Sequence, residues 1–391
     1  MQKIPHCYLL KCLVIFPVLF WSCNSDKEKP EEVLEENPAE LEFSVAPAPE
    51  WSEVFRRNSG WFGGDGIFAI PYSGDDNKKD GDSILFLFSD TMFGEIKDGK
   101  LDPGYLMVHN SVGLYQKGNE PSTTEFFLSE DNSGKKTTMF NPDTTSDEYY
   151  WLGDGFVNPT NKNLYVFAYR IRDTHDGSPF PFEEVGNDLL VFENKNQIPL
   201  VSSRQLSIPH SHKELSGPPV SFGVGIYTEA NNVYIYGVRG ENKELVVART
   251  RIETIEDFNT WEFKAQDIWT RDHGIMQVLS EQVSNELSVT KLENGQYALI
   301  YQGGGINPNI YMQLADSPEG PFGEKQEIWN TSNEVNDPDL FTYNAKAHPA
   351  ISAPGELLVS YNVNSFKFFD IIESKPHLYR PRFIKIKFNK K

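Results

Sequence analysis

Residues 149–171 read YYWLGDGFVNPTNKNLYVFAYRI: two runs of aromatic, aliphatic and β-branched residues on either side of a Pro-Thr-Asn-Lys-Asn turn, with Gly-Asp-Gly inside the first run. Runs of this length and composition, broken by turn formers, specify a strand, a turn and an antiparallel strand. The same pattern stands upstream as GWFGGDGIFAIPYS (60–73) followed by SILFLFSDTMFG (83–94). Downstream it returns as SFGVGIYTEANNVYIYGVRG (221–240) with LVVARTR (245–251), and as NELSVTKLENGQYALIYQGG (285–304) with NIYMQLADSPEGPFG (309–323). Its last occurrence is AKAHPAISAPGELLVSYNVN (345–364) with LYRPRFIKIKF (378–388).

No long stretch after Trp51 has helical periodicity, so the class is all-β. Each unit has the length of a small antiparallel sheet, too little to bury a core alone, and neighbours must stack about an axis. The expectation is a five-bladed β-propeller forming a single domain over residues 51–391, with unevenly long loops that build a site on one face. Glycines at the head of the units have a geometric reason if the innermost strands crowd backbone against backbone. A plain turn glycine is the alternative at any one position, and the recurrence of Gly-Asp-Gly in GGDGIF and LGDGFV favours the first reading.

The formal net charge of −20, from 36 basic and 56 acidic residues, would repel a phosphate backbone or an anionic membrane surface, which excludes nucleic acid as a partner. Residues 1–22 hold Lys3, Lys11 and the apolar run CLVIFPVLFW (12–21), too short for a bilayer span and suited to a signal peptide. Ser22-Cys23 then resembles the lipobox at which bacterial lipoproteins are cleaved and acylated, although Phe20 stands where that pattern has leucine. Cys7 and Cys12 lie in the leader, so the mature chain keeps Cys23 alone, best used in a thioether to lipid. An ordinary cleaved signal with a free thiol is the other reading. Residues 23–50 (Cys23, then NSDKEKPEEVLEENPAELEFSVAPAPE) read as a disordered acidic tether, similar to surface-export signals of Bacteroidetes lipoproteins. The protein is thus expected as an exported monomer held to the outer membrane or cell surface through its lipid only.

Asp65 and Asp154 take the same place in two successive units, between glycines, and Glu286 a related place in the fourth. Carboxylates converging from different blades suit glycoside hydrolysis, where one protonates the leaving oxygen and another activates water. An Asp between glycines is otherwise a turn former, and a Glu before a strand is otherwise solvated. Asp90 of FSDT, and His109 with Asn110 of MVHNSVGLY, are candidates for sugar hydroxyls beside structural alternatives of turn cap and satisfied histidine. Trp61 and Trp151 could stack on the apolar faces of sugar rings, though most propeller aromatics, Tyr227 among the flanking ones, are core. Arg380 and Arg382 of YRPRF either clamp substrate oxygens or pair with excess acid.

NELSVTKLENGQYALIY resembles the strand pair of glycoside hydrolase family 43 that opens on the general acid, and YMQLADSPEGPF is similar to the strand that follows it there. The resemblance implies Glu286 as general acid, Asp65 as general base, and His348 of KAHP as a channel histidine. The third unit's SFGVGIY offers no carboxylate, so Asp154 would have to tune the acid. GWFGGDGIF and LFLFSDTMFG also look like the uncharacterised-domain families numbered 4185 and 5005, some relatives of which are D-arabinan hydrolases; this likeness covers nearly all of residues 55–388.

There is no Gly-x-Ser-x-Gly elbow, Walker loop, His-Glu-x-x-His or cysteine pair for zinc. No cofactor is required by these readings; Asp, Asn and carbonyl oxygens would suit a structural calcium ion in the channel, but no spacing assigns a metal ligand. The expectation is therefore a cell-surface glycoside hydrolase acting on an arabinan-like, furanose-rich or related polysaccharide, with inversion and carboxyl groups about 6.5–9.5 Å apart. The alternative is a glycan-binding lipoprotein without catalysis.

Overall fold

The computed structural model describes residues 41–389 except 79–80, 145–146, 179, 194–199, 202–203, 212–217, 334 and 336. The leader, Cys23 and the tether up to residue 40 lie outside the described residues. By contacts the chain divides after Leu41, and a second unit begins at Glu42.

This unit is nearly all β. Among the described residues its two α-helices, Pro49–Ser52 and Phe368–Ile371, are single turns, and no helix there is long and apolar enough to cross a membrane. Five antiparallel sheets follow one another along the chain. Sheet 1 holds Phe68–Pro71, Ser83–Phe88, Ser111–Gln116 and Glu125–Phe127, and sheet 2 holds Glu148–Val157, Leu164–Asp173, Phe182–Phe192 and Arg204–Ser207. Sheet 3 runs from Val220–Glu229 through Asn232–Arg239, Glu244–Arg251 and Glu262–Ala265 to Ile268–Thr270. Sheet 4 comprises Leu287–Lys291, Tyr297–Gln302, Asn309–Ala315 and Gln326–Asn330. Sheet 5 begins with Leu340–Ala347, Glu356–Ser365 and Arg382–Phe388. An accessory sheet pairs Ser59–Gly64 with Thr91–Lys97 beside sheet 1.

Period-two alternation explains why strands such as SILFLF are apolar throughout. Leu85 and Leu87 pack against Leu164, Val166 and Ala168 of sheet 2, while Ile84, Phe86 and Phe88 pack against Leu358 and Phe383 of sheet 5. Tyr165 and Phe167 turn the other way, onto Val233 and Ile235 of sheet 3, whose Tyr234 and Tyr236 face Leu299 and Tyr301 of sheet 4. Sheets 1, 2 and 3 are thus covered on both faces by their neighbours, and truncating one such residue to Ala costs about 2–5 kcal/mol.

The first strand of each sheet meets the first strand of the next: Phe68–Pro71 lies against Glu148–Val157, that strand against Val220–Glu229, and so on through Leu287–Lys291 to Leu340–Ala347. The glycines sit where these backbones touch. A Cβ on Gly153 would stand 2.7 Å from the Gly223 carbonyl oxygen, and one on Gly225 2.8 Å from that of Leu287.

Sheet 5 is completed by the start of the unit, not its end. Phe43–Pro47 pairs antiparallel with Arg382–Phe388, Phe43 opposite Phe388 and Pro47 opposite Ile384. This corrects the expected tether boundary at Glu50. FSVAP alternates like an edge strand, and Trp51, Val54 and Phe55 behind it are buried between sheets 5 and 1.

Candidate active site

Asp65 lies in the link between the accessory strand Ser59–Gly64 and the first strand of sheet 1. Its N–H donates to the Asp90 carbonyl (3.0 Å), and its own carbonyl accepts from Ser89 N–H (3.0 Å). One residue earlier, Gly64 N–H donates to the Tyr379 carbonyl (3.0 Å), an approach so close that a Cβ on Gly63 would lie 2.2 Å from that oxygen. Two residues later Ile67 has φ 146°, a conformation rare for a β-branched residue. The Asp65 carboxyl is thus fixed by backbone on both sides. Its Oδ2 accepts from the Tyr343 hydroxyl (3.0 Å), the Tyr379 hydroxyl also hydrogen-bonds it, and its buried Oδ1 has no hydrogen-bond partner.

Glu286 precedes the first strand of sheet 4 and is buried. Its Oε1 accepts from Asn344 Nδ2 (2.8 Å), and its Oε2 forms an ion pair with Lys346, whose side chain is 1% exposed. Tyr343, Asn344 and Lys346 all reach the acids because the strand is bulged between Tyr343 and Lys346, with Asn344 at φ 59°. A regular strand would have sent alternate residues to opposite sides.

Burial pushes Asp65 well above the ordinary carboxylate range, and the like charges of Asp90 and Glu286 push it further. Glu286 is also raised by burial, against the opposing pull of Lys346 and Asn344. Asp65 therefore feels the charges of both Asp90 and Glu286, while the one ammonium in the cluster, Lys346, is paired with Glu286.

Asp90 ties this cluster to sheet 2. Its Oδ1 accepts from Trp151 Nε1 (3.1 Å) and lies 3.3 Å from His109 Nδ1, while the His109 ring stacks on Tyr149 with centroids 3.7 Å apart. Asp65, Asp90, His109, Trp151 and Glu286 are brought to one end of the sheets.

The other candidates go elsewhere. Trp61 is 1% exposed, stacked on Phe126 at 4.6 Å and packed on Phe55 and Phe88, so it is core and not a sugar platform. Asn110 is fully buried, donating to the Phe140 and Tyr150 carbonyls and accepting from Phe140 N–H; no hydrogen-bonding capacity is left for a sugar beyond one lone pair. Arg380 donates to the Ser52 carbonyl (2.6 Å) and faces Glu53, fastening the first helix, and Arg382 likewise bonds backbone carbonyls. Tyr227 bonds Glu229 and packs edge-on against Tyr297.

Asp154 does not repeat the position of Asp65. It lies inside its strand, at a bulge between Leu152 and Gly155, and its oxygens accept from Gly155 N–H (2.8 Å) and Ile226 N–H (2.7 Å). With Asp76, Ser288, Lys346 and His348 it lines a cavity of about 70 Å³ among the first strands. Burial pushes its carboxyl up to about 7, against the two N–H donors, with Asp76 raising it and Lys346 lowering it. The charge acting directly on Glu286 is Lys346, not Asp154. His348 is 2% exposed, with Nε2 2.7 Å from Ser360 Oγ, and burial holds its imidazole far below the usual range, so it faces the cavity as a neutral ring.

Among the described residues no three His, Cys, Asp or Glu side chains gather as a metal site. The residues fit calcium poorly, because the cation beside Glu286 and Asp154 is already an ammonium, Lys346. Tyr343, Tyr379, Asn344 and Lys346 escaped the sequence reading; the one signal for them was a lysine and an asparagine within an otherwise apolar strand, FTYNAKA.

The profile of a family described as a domain of unknown function (DUF5005) matches residues 49–388. No curated protein matches the chain. Among solved structures, a hydrolase candidate from Bacteroides ovatus is similar at 19% identity and TM-score 0.69, over 93% of this chain and 97% of that one, and it shares the fold. An α-L-arabinofuranosidase from Podospora anserina crystallised with cellotriose overlaps at 11% identity and TM-score 0.46, over 90% and 97% of the two chains. One from Clostridium thermocellum overlaps at 13% and 0.43, over 76% and 82%. Overlaps this distant bear on neither site nor substrate.

Proposed function

The chain belongs to the DUF5005 family, and from that premise and its buried acids we propose that it is a glycoside hydrolase cleaving a furanose-rich, arabinan-like or related polysaccharide. The observation that carries this reading is the pairing of Asp65 and Glu286. Two carboxyl groups from different sheets are both raised by burial, and they differ in what surrounds them. An ordinary carboxylate is too weak a base and too strong an acid for work near neutral pH, and raising it corrects both.

Asp65 is the base: its Oδ1 has no hydrogen-bond partner in the fold to compete with a proton, while the Tyr343 hydroxyl holds Oδ2 and the Tyr379 hydroxyl also bonds the carboxyl. Glu286 is the acid, protonating the departing sugar oxygen. The productive state carries a proton on Glu286 and none on Asp65. Asp154 acts through Lys346: its charge draws on the same ammonium that steadies Glu286, and so weakens that ammonium's hold. Asp90, His109 and Trp151 border the acids as sugar-binding groups. Water attacks directly, and the first-formed product is the inverted anomer, readable by proton NMR.

In this reading the five sheets are the blades of one propeller. Export through the leader, acylation at Cys23 and residence of the monomer at the outer membrane or cell surface belong to the same proposal, tested by palmitate labelling that is lost in Cys23→Ser.

The test of the activity is release of reducing sugar from plant, microbial and mycobacterial arabinans and related glycans by the parent and by Glu286→Gln. The parent is expected to cleave, and the variant to be slower by about 10²–10⁴-fold. No cleavage by either, with equal binding of one glycan by both, would make it a carbohydrate-binding protein instead.

A further inference from the structure

The hairpin loop between Leu164–Asp173 and Phe182–Phe192 of sheet 2 does not stop at its neighbour. Its Phe180 ring lies 6.5 Å from Phe341 and 6.4 Å from Phe366, both of sheet 5 or the connection that leaves it. Sheet 1 packs on sheet 2 through one face and on sheet 5 through the other, so this contact joins the two sheets that flank sheet 1.

The contacts form a closed circuit. Asp65 bonds Asp90 through its backbone, and Asp90 accepts from Trp151. Trp151 meets Phe182 edge-on at 4.6 Å, and Phe182 meets Phe180 at 6.2 Å. From Phe180 the path crosses to Phe341, then to Tyr343 at 5.5 Å, whose hydroxyl returns to Asp65. Aromatic rings make up the whole far side of this circuit.

Exposure singles out the same place. Phe180, Phe366 and Phe369 are 45%, 55% and 69% exposed, and they are the exposed phenylalanines among the described residues. Phe180 lies in the hairpin loop and Phe366 in the connection after Glu356–Ser365, with Phe369 in the single-turn helix that follows. Apolar side chains gathered in the open beside buried acids mark a surface for a ligand with apolar faces and polar edges, which is what a sugar ring offers.

We propose that Phe180, Phe341 and Phe366 form an aromatic strap across the acid end of the sheets, so that a polysaccharide is admitted by its chain terminus and not along its length. The strap closes the path over Asp65 that an internal segment would need on both sides of the bond to be cut. The inference rests on the hydrolase reading for its substrate, and it adds that sugars are removed from chain ends.

Linear 1,5-linked arabinan and its hexasaccharide serve as probes, with the full chain, Phe180→Ala and Phe366→Ala. Both rings are exposed, so the variants are expected to fold, and circular dichroism checks it. Calorimetry should find one protein bound per arabinan chain whatever its length, with the hexasaccharide bound about tenfold more weakly after loss of either ring. Hydrolysis by the parent should release short sugars while solution viscosity barely falls, and Phe180→Ala should lower viscosity early.

Several molecules bound per chain, or an early fall in viscosity with the parent, overturns the strap while leaving a hydrolase. One molecule bound per chain without any cleavage upholds the strap and removes the hydrolase. Equal affinity and product pattern in parent and both variants overturns the strap, as does failure of the parent to bind either probe.

Discussion

Asp65 and Asp154 stand in the same Gly-Asp-Gly motif in consecutive sheets and end in opposite circumstances. Asp154 is inside its strand, and two backbone N–H groups bind its oxygens; Asp65 stands before its strand, faces two other acids, and keeps one buried oxygen without a partner. The first is a carboxylate that the fold uses, and the second is one that the fold tolerates. Buried polar groups left unmatched are costly, so their persistence points to chemistry and not to architecture.

Neutralising each acid should pull this comparison apart. Asp65→Asn is expected to cut sugar release by at least about 10²-fold, with a melting temperature unchanged or higher because a repelled buried charge is gone. Lys346→Met should destabilise the protein by about 3–5 kcal/mol near neutral pH, since Glu286 would be buried without its cation. Without Lys346 the Glu286 carboxyl is raised further above its unfolded value, so protonation relieves the loss and denaturant midpoints should recover as pH falls toward the ordinary carboxylate range.

Asp154→Asn replaces one N–H acceptor by a donor against Ile226 and should cost about 1–3 kcal/mol in stability, with a smaller change in activity than at Asp65. A greater loss of activity than stability there would mean that Asp154 touches substrate itself. The smallest effect is expected for Asp90→Asn. Removing its charge lowers the proton affinity of Asp65, so the acidic limb of the activity profile should move to lower pH by up to about one unit.

Much of the sheet order was legible because both faces of sheets 1, 2 and 3 are covered, which leaves uninterrupted apolar runs such as SILFLF and LYVFAY. The place of Glu286, just before the strand Leu287–Lys291, was legible through the strand pair that it opens. The failures have local causes. The equivalence of Asp65 and Asp154 broke on a bulge, which shifts register without leaving a compositional trace. Lys346 was hidden for a similar reason: strict alternation gives its side no preference for the axis, and the bulge at Asn344 supplies it. Trp61 lies in the accessory sheet, where its burial is set by Phe126 from a distant strand. Phe180 belongs to a loop with no period to read.

The pairing of Phe43–Pro47 with Arg382–Phe388 has a consequence for how this protein is made. The earliest described strand has to wait for the last one, more than 330 residues later, and until it arrives the edge of Arg382–Phe388 stays open. Sheets 1 to 4 can assemble as the chain emerges, but Phe43–Pro47 has no partner strand until Arg382–Phe388 has been made. An uncovered edge also accepts the equivalent strand of another copy, so crowded, newly made chains risk exchanging their first strands before each closes on itself.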